Sequence, residues 1–528
     1  MSAWWPALIP AAAIAGCNLA LGIGGYTFEP TGSGGASTST TSTTATTTAT
    51  STSTGQGGQD GGHGGQGGAG GQGGQGSTSA MPVWSKSFGD GQEQMVTSLA
   101  ADAAGNVYMT GWFYGTLDIA GSMVASQGPT VGFVASFDPM GNGRFADFYA
   151  ASGDTAATAV AVHGDGSFTV AGTFHDNLTL PTSGGTYASN NRDAFLINYD
   201  KTMKPRWSAQ VSGGGDETIT ALVDRADGTV IVAGTYTQDL QAKVKPAAIS
   251  LPQTPAYASG FVFQVVGATG AASDLRGVGS ASPSSGNIAV LAGAAATGVI
   301  ALAGFFDQTA DFGNGTPYSA TNKDAFLLQY TDLTHPPGVQ TASGNGDQLA
   351  TGLAVLPAGT VVLGGTFQDN LTFANAPSTT VQGFGTDVFV VGLPPAGAPP
   401  ALLTVGATDG SGELLGGVAG NAKGVAVAGL IAHDASLTLG GGTPVPLTTS
   451  GGQGLFVAKL NPKLDQVLWA QAYDVSTQSY PPAAPVAIGP AGAVYVAGNF
   501  NGTIHFGNGT SDLSTMGQDD IYLVKFAP

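Results

Sequence analysis

The chain has 528 residues, with abundant glycine, few charged side chains and a formal net charge of -19. Such an acidic chain, with no Lys/Arg cluster, excludes nucleic acid as a partner and excludes docking on an anionic membrane through a basic patch. Its length allows several small domains or one large β architecture.

The N-terminus reads as an export signal. Residues 6–16, PALIPAAAIAG, form a short apolar run ending in small residues. It is too short for a stable bilayer-spanning helix and fits a secretory signal peptide over 1–16. The preceding MSAWW lacks the basic residues usual at that place. Ile14-Ala15-Gly16-Cys17 has the form of a bacterial lipobox, which makes Cys17 the expected lipidation site. Cys17 is the only cysteine in the chain. The exported part therefore has no disulfide and depends on a packed core.

Residues 17–80 follow as a tether. The stretch from Thr31 to Ala80 consists almost entirely of Ser, Thr, Gly, Gln and Ala. It has no apolar periodicity to offset the entropy of ordering. A coil of about 60 residues reaches on the order of 40–45 Å, enough to hold a domain clear of a membrane surface.

From residue 81 the sequence repeats. A short strand ending in Gly and a large residue recurs as NVYMTGWF, SFTVAGTF, TVIVAGTY, GVIALAGFF, TVVLGGTF, KGVAVAGLI and AVYVAGNF. The marker glycines, Gly111 to Gly498, are 61 to 70 residues apart. Each is preceded by a strand of small residues (TSLAAD, TAVAVH, TGLAVL) and followed by a strand of the type GFVASFD, DAFLINYD or DIYLVKF. A fourth strand, such as PRWSAQV or QVLWAQAY, closes the unit. Alternating apolar and polar residues with Gly, Asn and Asp between the runs predict strands throughout. Four antiparallel strands per unit predict propeller blades. The fourth unit, over 267–297, is the least regular.

The first three strands occur seven times, but nothing follows the last third strand, DIYLVKFAP. VWSKSFGDG, at the start of the repeat region, matches RWSAQVSGGGD, a fourth strand. It is therefore expected to complete the last blade. The fold expected for 81–528 is an all-β, seven-bladed β-propeller of four-stranded antiparallel blades, closed by its N-terminal strand.

Units of the form GNVYMTGWFYGTLDIAG…GFVASFDPMGN, joined by WSKSFGD, resemble the bacterial β-propeller repeats called SBBP. They are similar in particular to repeat-bearing surface lipoproteins of myxobacteria. The resemblance spans about 82–528, and the lipobox and tether accompany it. It implies a lipid-anchored protein of the outer membrane or cell surface, and says little about activity.

The connections between strands are where chemistry would sit. Those between second and third strands are long, and short extra hairpins are expected there, since FGNGT-like turns suit hairpins. With the connections from fourth to first strands they form the expected interaction face. Glu93, Glu217 and Glu413 fall in the latter connections, and Asp90, Asp154, Asp216, Asp347 and Asp409 occupy similar turns. Such carboxylates at a propeller mouth suggest a cation site or the acid and base of a glycosidase. Gly-Asp turn chemistry and the solubility of exposed glutamate are the preferred explanation. Asp193, Asp324, Asp387 and Asp520 read as turn residues, and Trp84, Trp207 and Trp469 as sheet packing. The histidines are scattered singly, with no HExxH or other ligand pairing, and no nucleophile elbow or phosphate loop occurs. No catalytic residue, metal or cofactor is expected. The sequence points to a monomeric, non-enzymatic binder of a protein or polysaccharide that meets the membrane only through its lipid. A secreted glycan hydrolase or a purely structural envelope spacer are the alternatives.

Overall fold

A computed structural model describes residues 81–528 apart from 182–184, 244–247, 252–257, 280–285, 297, 375–379, 396–399, 451, 479–483 and 508–509. The signal, Cys17 and the tether lie outside the described residues. The described chain is all β, without helix, and every strand pairing is antiparallel.

The strands fall into seven units of four. The first strands are Gln94–Ala101, Thr155–Val162, Glu217–Asp224, Ile288–Ala296, Gln348–Val355, Glu413–Asn421 and Val486–Ile488. Each pairs with a second strand: Val107–Phe113, Phe168–Phe174, Thr229–Tyr236, Val299–Asp311, Val361–Phe373, Gly424–Ile431 and Val494–Ile504. Third strands such as Val131–Phe137 and Asp193–Tyr199, and fourth strands such as Gly143–Tyr149 and Pro205–Ser212, continue each sheet outward. In the irregular fourth unit the first strand Ile288–Ala296 is well formed, and Ala272–Val278 is the outer strand of the unit before it. In the seventh unit the fourth strand is Pro82–Phe88. It pairs with Asp520–Phe526, Ser85 opposite Val524 and Phe88 opposite Ile521. The expected joining of VWSKSFG to the last strand is present.

The marker glycines have a physical cause. Each lies opposite an aromatic residue of the third strand: Gly111 opposite Phe133, Gly172 opposite Phe195, Gly365 opposite Phe389, Gly498 opposite Tyr522. On its other side, in the first six units, the first strand carries a β-bulge, seen between Val96 and Ser98 and between Ala157 and Ala159. The bulge aims a carbonyl at the glycine. A Cβ on Gly172 would stand 2.3 Å from the Ala156 oxygen and 2.4 Å from the Phe195 ring. Only glycine fits between the bulge and the ring.

The core lies between units. Seven hydrophobic clusters each draw on two successive units, and one joins the seventh unit (Tyr495, Ala497, Leu523) to the first (Met109, Phe113, Phe133). Each fully buried Phe or Leu contributes about 1.5–3 kcal/mol. Fourth-strand tryptophans reach across the same boundaries. The Trp84 indole donates to the Pro139 carbonyl (3.1 Å) and that of Trp207 to the Gly267 carbonyl (2.7 Å). This is the sheet-packing role expected of them.

The expected hairpins between second and third strands are present in all seven units, from Thr116–Ile119 with Ser122–Ala125 to Thr503–Ile504 with Leu513–Ser514. Several pair with the outer strand of the preceding unit, as where Gln210–Ser212 meets Gln241–Lys243 and Leu403–Gly406 meets Ser436–Leu439. They thereby cover strand edges that would otherwise be open to other chains.

Candidate functional site

Because neighbouring strands run antiparallel, each unit has two ends. The hairpins and the connections from fourth to first strands share one end; the short turns share the other.

At the hairpin end the expected aspartates hold loops. The Asp154 carboxylate accepts from the Thr130 N–H (2.8 Å), Asp216 from the Arg192 N–H (3.2 Å) and Asp347 from the Lys323 N–H (3.2 Å). In the first two cases the connection entering one unit grips the residue that precedes the third strand of the previous unit, and Lys323 lies within the third strand Pro317–Tyr330. Asp347 also pairs with the Lys323 ammonium at 3.5 Å. Asp90 accepts from the Gln92 and Thr116 N–H groups, and Asp409 from the Ser411 N–H. These carboxylates are anchored in turn chemistry.

The three glutamates do not share a site. Glu217 and Glu413 are the first residues of their strands and fully buried, opposite Tyr236 and Ile431. Glu93 stands one position earlier in the repeat. Its carbonyl accepts the Tyr114 N–H, as those of Asp154 and Asp216 accept the His175 and Thr237 N–H groups. A one-residue offset places a side chain on the opposite face of a strand. The charged neighbours that raise each glutamate are local: Asp519 for Glu93; Asp193, Asp216 and Asp239 for Glu217; Asp387 and Asp409 for Glu413. Among the described residues no group of three or more His, Cys, Asp or Glu is arranged to hold a metal ion.

Burial is the largest cause of these shifts, and it pushes Glu217 and Glu413 each up to about 9. Burial likewise raises Asp193, Asp324 and Asp520 of the third strands. Asp193, Asp324, Asp387 and Asp520 are all buried, and desolvation pushes Asp324 up to about 6 and Asp520 up to about 7. In sequence these four read as turn residues, yet they are buried and recur at one repeat position. The signal was available: Asp193 precedes Glu217, and Asp324 precedes Gln348, by the same spacing.

The middles of all seven first strands line one cavity of about 250 Å³, including Thr97, Thr158, Thr220, Leu291, Thr351, Gly416 and Val486. No charged side chain lines it. Three of its threonines bridge units: Thr97 donates to the Ala157 carbonyl (2.7 Å), Thr158 to that of Ile219 (2.6 Å) and Thr220 to that of Val290 (2.6 Å).

Charge is divided between the two ends. Every hairpin connection carries aspartate, among them the exposed Asp118, Asp176, Asp239, Asp369, Asp434 and Asp512. Among the described residues the lysines and arginines at this end are Arg192, Lys243 and Lys323. The others, such as Lys204, Arg225, Lys423, Lys459 and Lys525, stand at the turn end beside Asp138, Asp200 and Asp227. There Lys459 and Lys525 donate to the carbonyls of Gly492 and Pro139 in neighbouring units.

No protein-family model matches the chain, and no curated protein matches it. Solved structures align with it at low similarity, among them the following two. One is a protein of unknown function from Dyadobacter fermentans, 9% identical, with a TM-score of 0.37 over 85% of this chain and 98% of that one. The other is a leech intramolecular trans-sialidase complexed with 2,7-anhydro-Neu5Ac, 10% identical, with a TM-score of 0.29 over 77% of this chain and 64% of that one. Likenesses this weak carry no argument about activity.

Proposed function

We propose that residues 81–528 form a seven-bladed β-propeller, one blade per unit, closed by Pro82–Phe88 as the outer strand of the last blade. The order of the inter-unit cores supports this, since the seventh unit packs on the first. So does the cavity shared by the seven first strands. We further propose that a lipid on Cys17 and the 17–80 tether carry the propeller at the cell envelope. There it acts as a non-enzymatic binding protein.

The observation that carries the binding reading is the division of charge. A rigid face of hairpins, bound to neighbouring outer strands and gripped by aspartates, presents exposed carboxylates around the whole array. A face of that kind steers and orients a partner bearing ammonium or guanidinium groups. The partner class is a basic protein surface or an amino-sugar polymer.

The test is a binding panel on the Cys17→Ser chain against cationic, neutral and acidic glycans and basic and acidic proteins. The expected result is selective binding of cationic members that weakens as salt rises. It should also weaken in the triple variant Asp118→Asn, Asp239→Asn, Asp434→Asn. Salt-independent binding, or binding untouched by the triple variant, contradicts the proposal.

A further inference from the structure

Gln94, Glu217, Gln348 and Glu413 occupy one structural position, the first residue of a first strand, opposite the large residue that ends the core of the second strand. All four are fully buried. Glu217 stands near Asp193, Glu413 near Asp387 and Gln94 near Asp520, each an aspartate of the third strand of the preceding unit. In two units that position holds an amide, and in two an acid.

The surroundings are built for a donor. Gln348 directs its Nε2 at the Asn370 carbonyl, 3.4 Å away. A Cβ placed on Gly344 would stand 1.9 Å from that carbonyl oxygen and 2.6 Å from the Gln348 Nε2. In the third unit a Cβ placed on Gly213 would stand 1.9 Å from the Asp239 carbonyl oxygen and 2.6 Å from the Glu217 Oε1. The Glu217 oxygen thus takes the place of the Gln348 nitrogen and faces the equivalent backbone oxygen. Two oxygens meet favourably only if one carries a proton. Neither carboxyl oxygen of Glu217 has a hydrogen-bond partner of ordinary geometry, and neither does the Oε2 of Glu413. A buried carboxylate left in that condition is costly, whereas a carboxylic acid would donate.

We infer that Glu217 and Glu413 are held as neutral carboxylic acids standing in for the glutamines of the equivalent positions, and that the two unit boundaries they occupy loosen when they ionise. The boundaries lie between the second and third units and between the fifth and sixth. A cation is a poorer occupant than a proton. Calcium takes 6–8 oxygen ligands, and among the described residues the carboxyls at these two sites are not arranged to hold a metal ion.

The charged groups around both acids agree with this. Facing Glu217 are Asp193 from the third strand of the second unit, its neighbour Asp216, and Asp239 from the hairpin. Lys243 acts on Asp193, whose Oδ2 also accepts from the Gln210 amide. Arg192 meets Glu217 through its backbone carbonyl, which accepts the Glu217 N–H. The loose approach of the Gly213 N–H is the one contact favouring the charged form of Glu217. Around Glu413 stand Asp387 and Asp409, with the Ser411 hydroxyl at 3.4 Å and the Ala407 N–H; His433 acts on Asp409. In the folded chain burial pushes both glutamates up to about 9, against 4.5 for an unperturbed glutamate. A folded value above the unfolded one means stability is full below about 4.5 and is lost as pH rises through the folded value. Over that window the folding equilibrium falls by up to about tenfold per pH unit for each glutamate.

The experiment is urea unfolding of the full chain between about pH 5 and pH 9, for wild type, Glu217→Gln, Glu413→Gln and the double variant. Gln94 and Gln348 show that the position accepts an amide. The wild type should lose stability steadily as pH rises. The double variant should match it near pH 5, exceed it near pH 8 and show a much flatter profile. The infrared band of a protonated carboxyl near pH 7 should be weaker in the double variant. Parallel pH profiles for wild type and double variant overturn the inference. So does a wild-type stability raised by millimolar calcium and insensitive to calcium in the double variant, which would assign the position to a cation.

Discussion

Replacing Gly172 with alanine tests the packing rule behind the repeat. In a strand, alanine is ordinarily better than glycine by about 0.5–1 kcal/mol, because the unfolded chain loses less entropy. Here the new methyl would stand 2.3 Å from the Ala156 oxygen and 2.4 Å from the Phe195 ring carbons. Ordinary contacts begin about 1 Å further out. The oxygen belongs to a backbone bulge and cannot swing aside, and the ring is fully buried. Relief therefore requires the first or third strand to shift, which weakens the pairing of Gly172 with Ala157 and Phe195. Overpacking of this kind costs about 1–3 kcal/mol, with strained backbone hydrogen bonds in addition. The net expectation is a loss of about 3 kcal/mol. Gly164→Ala is the control, since its methyl would meet nothing within 4 Å. It should lie within about 0.5 kcal/mol of wild type. Urea midpoints at unchanged m-value measure both. A Gly172→Ala chain less than about 1 kcal/mol from its control refutes the reasoning.

Two more outcomes are expected. Thr158→Val, at a residue lining the cavity, removes the hydroxyl bond to the Ile219 carbonyl and leaves that oxygen without this donor. A loss of about 1–2 kcal/mol by the same unfolding assay is expected, against none for Thr179→Val on an exposed hairpin strand. Cys17→Ser should move the protein from the membrane fraction to the soluble fraction; unchanged partition contradicts lipid anchoring.

Strand order was legible because each strand type recurs at a near-constant spacing, and a period of that length carries more information than any single segment. The role of VWSKSFG followed from counting strand types, and its pairing with Asp520–Phe526 agrees. The markers Gly111 to Gly498 were visible as a pattern, but their cause was not. It depends on a bulge and an aromatic ring from two other strands. The carboxylates were the least legible part. Glu93, Glu217 and Glu413 look alike in sequence, yet an offset of one residue separates Glu93 from the buried position of the other two. Asp193 and Asp387 read as turn residues because nothing local shows that the next unit covers them. Burial by a neighbour some 60 residues away is a property of stacking, which a single repeat does not record.

The central claim, that the N-terminal strand closes the last blade, is tested most directly by cross-linking Ser85→Cys to Val524→Cys. The two residues stand directly opposite each other in the strand pair. At that separation a disulfide forms without moving the backbone. In a full chain also carrying Cys17→Ser no other thiol competes, since Cys17 is the only native cysteine. Mild oxidation of the folded protein should give one intramolecular bond. It should be seen as a mobility shift that reductant reverses, together with a higher unfolding midpoint. Two thiols that remain free in the folded, oxidised sample would contradict the closure and the blade count that rests on it.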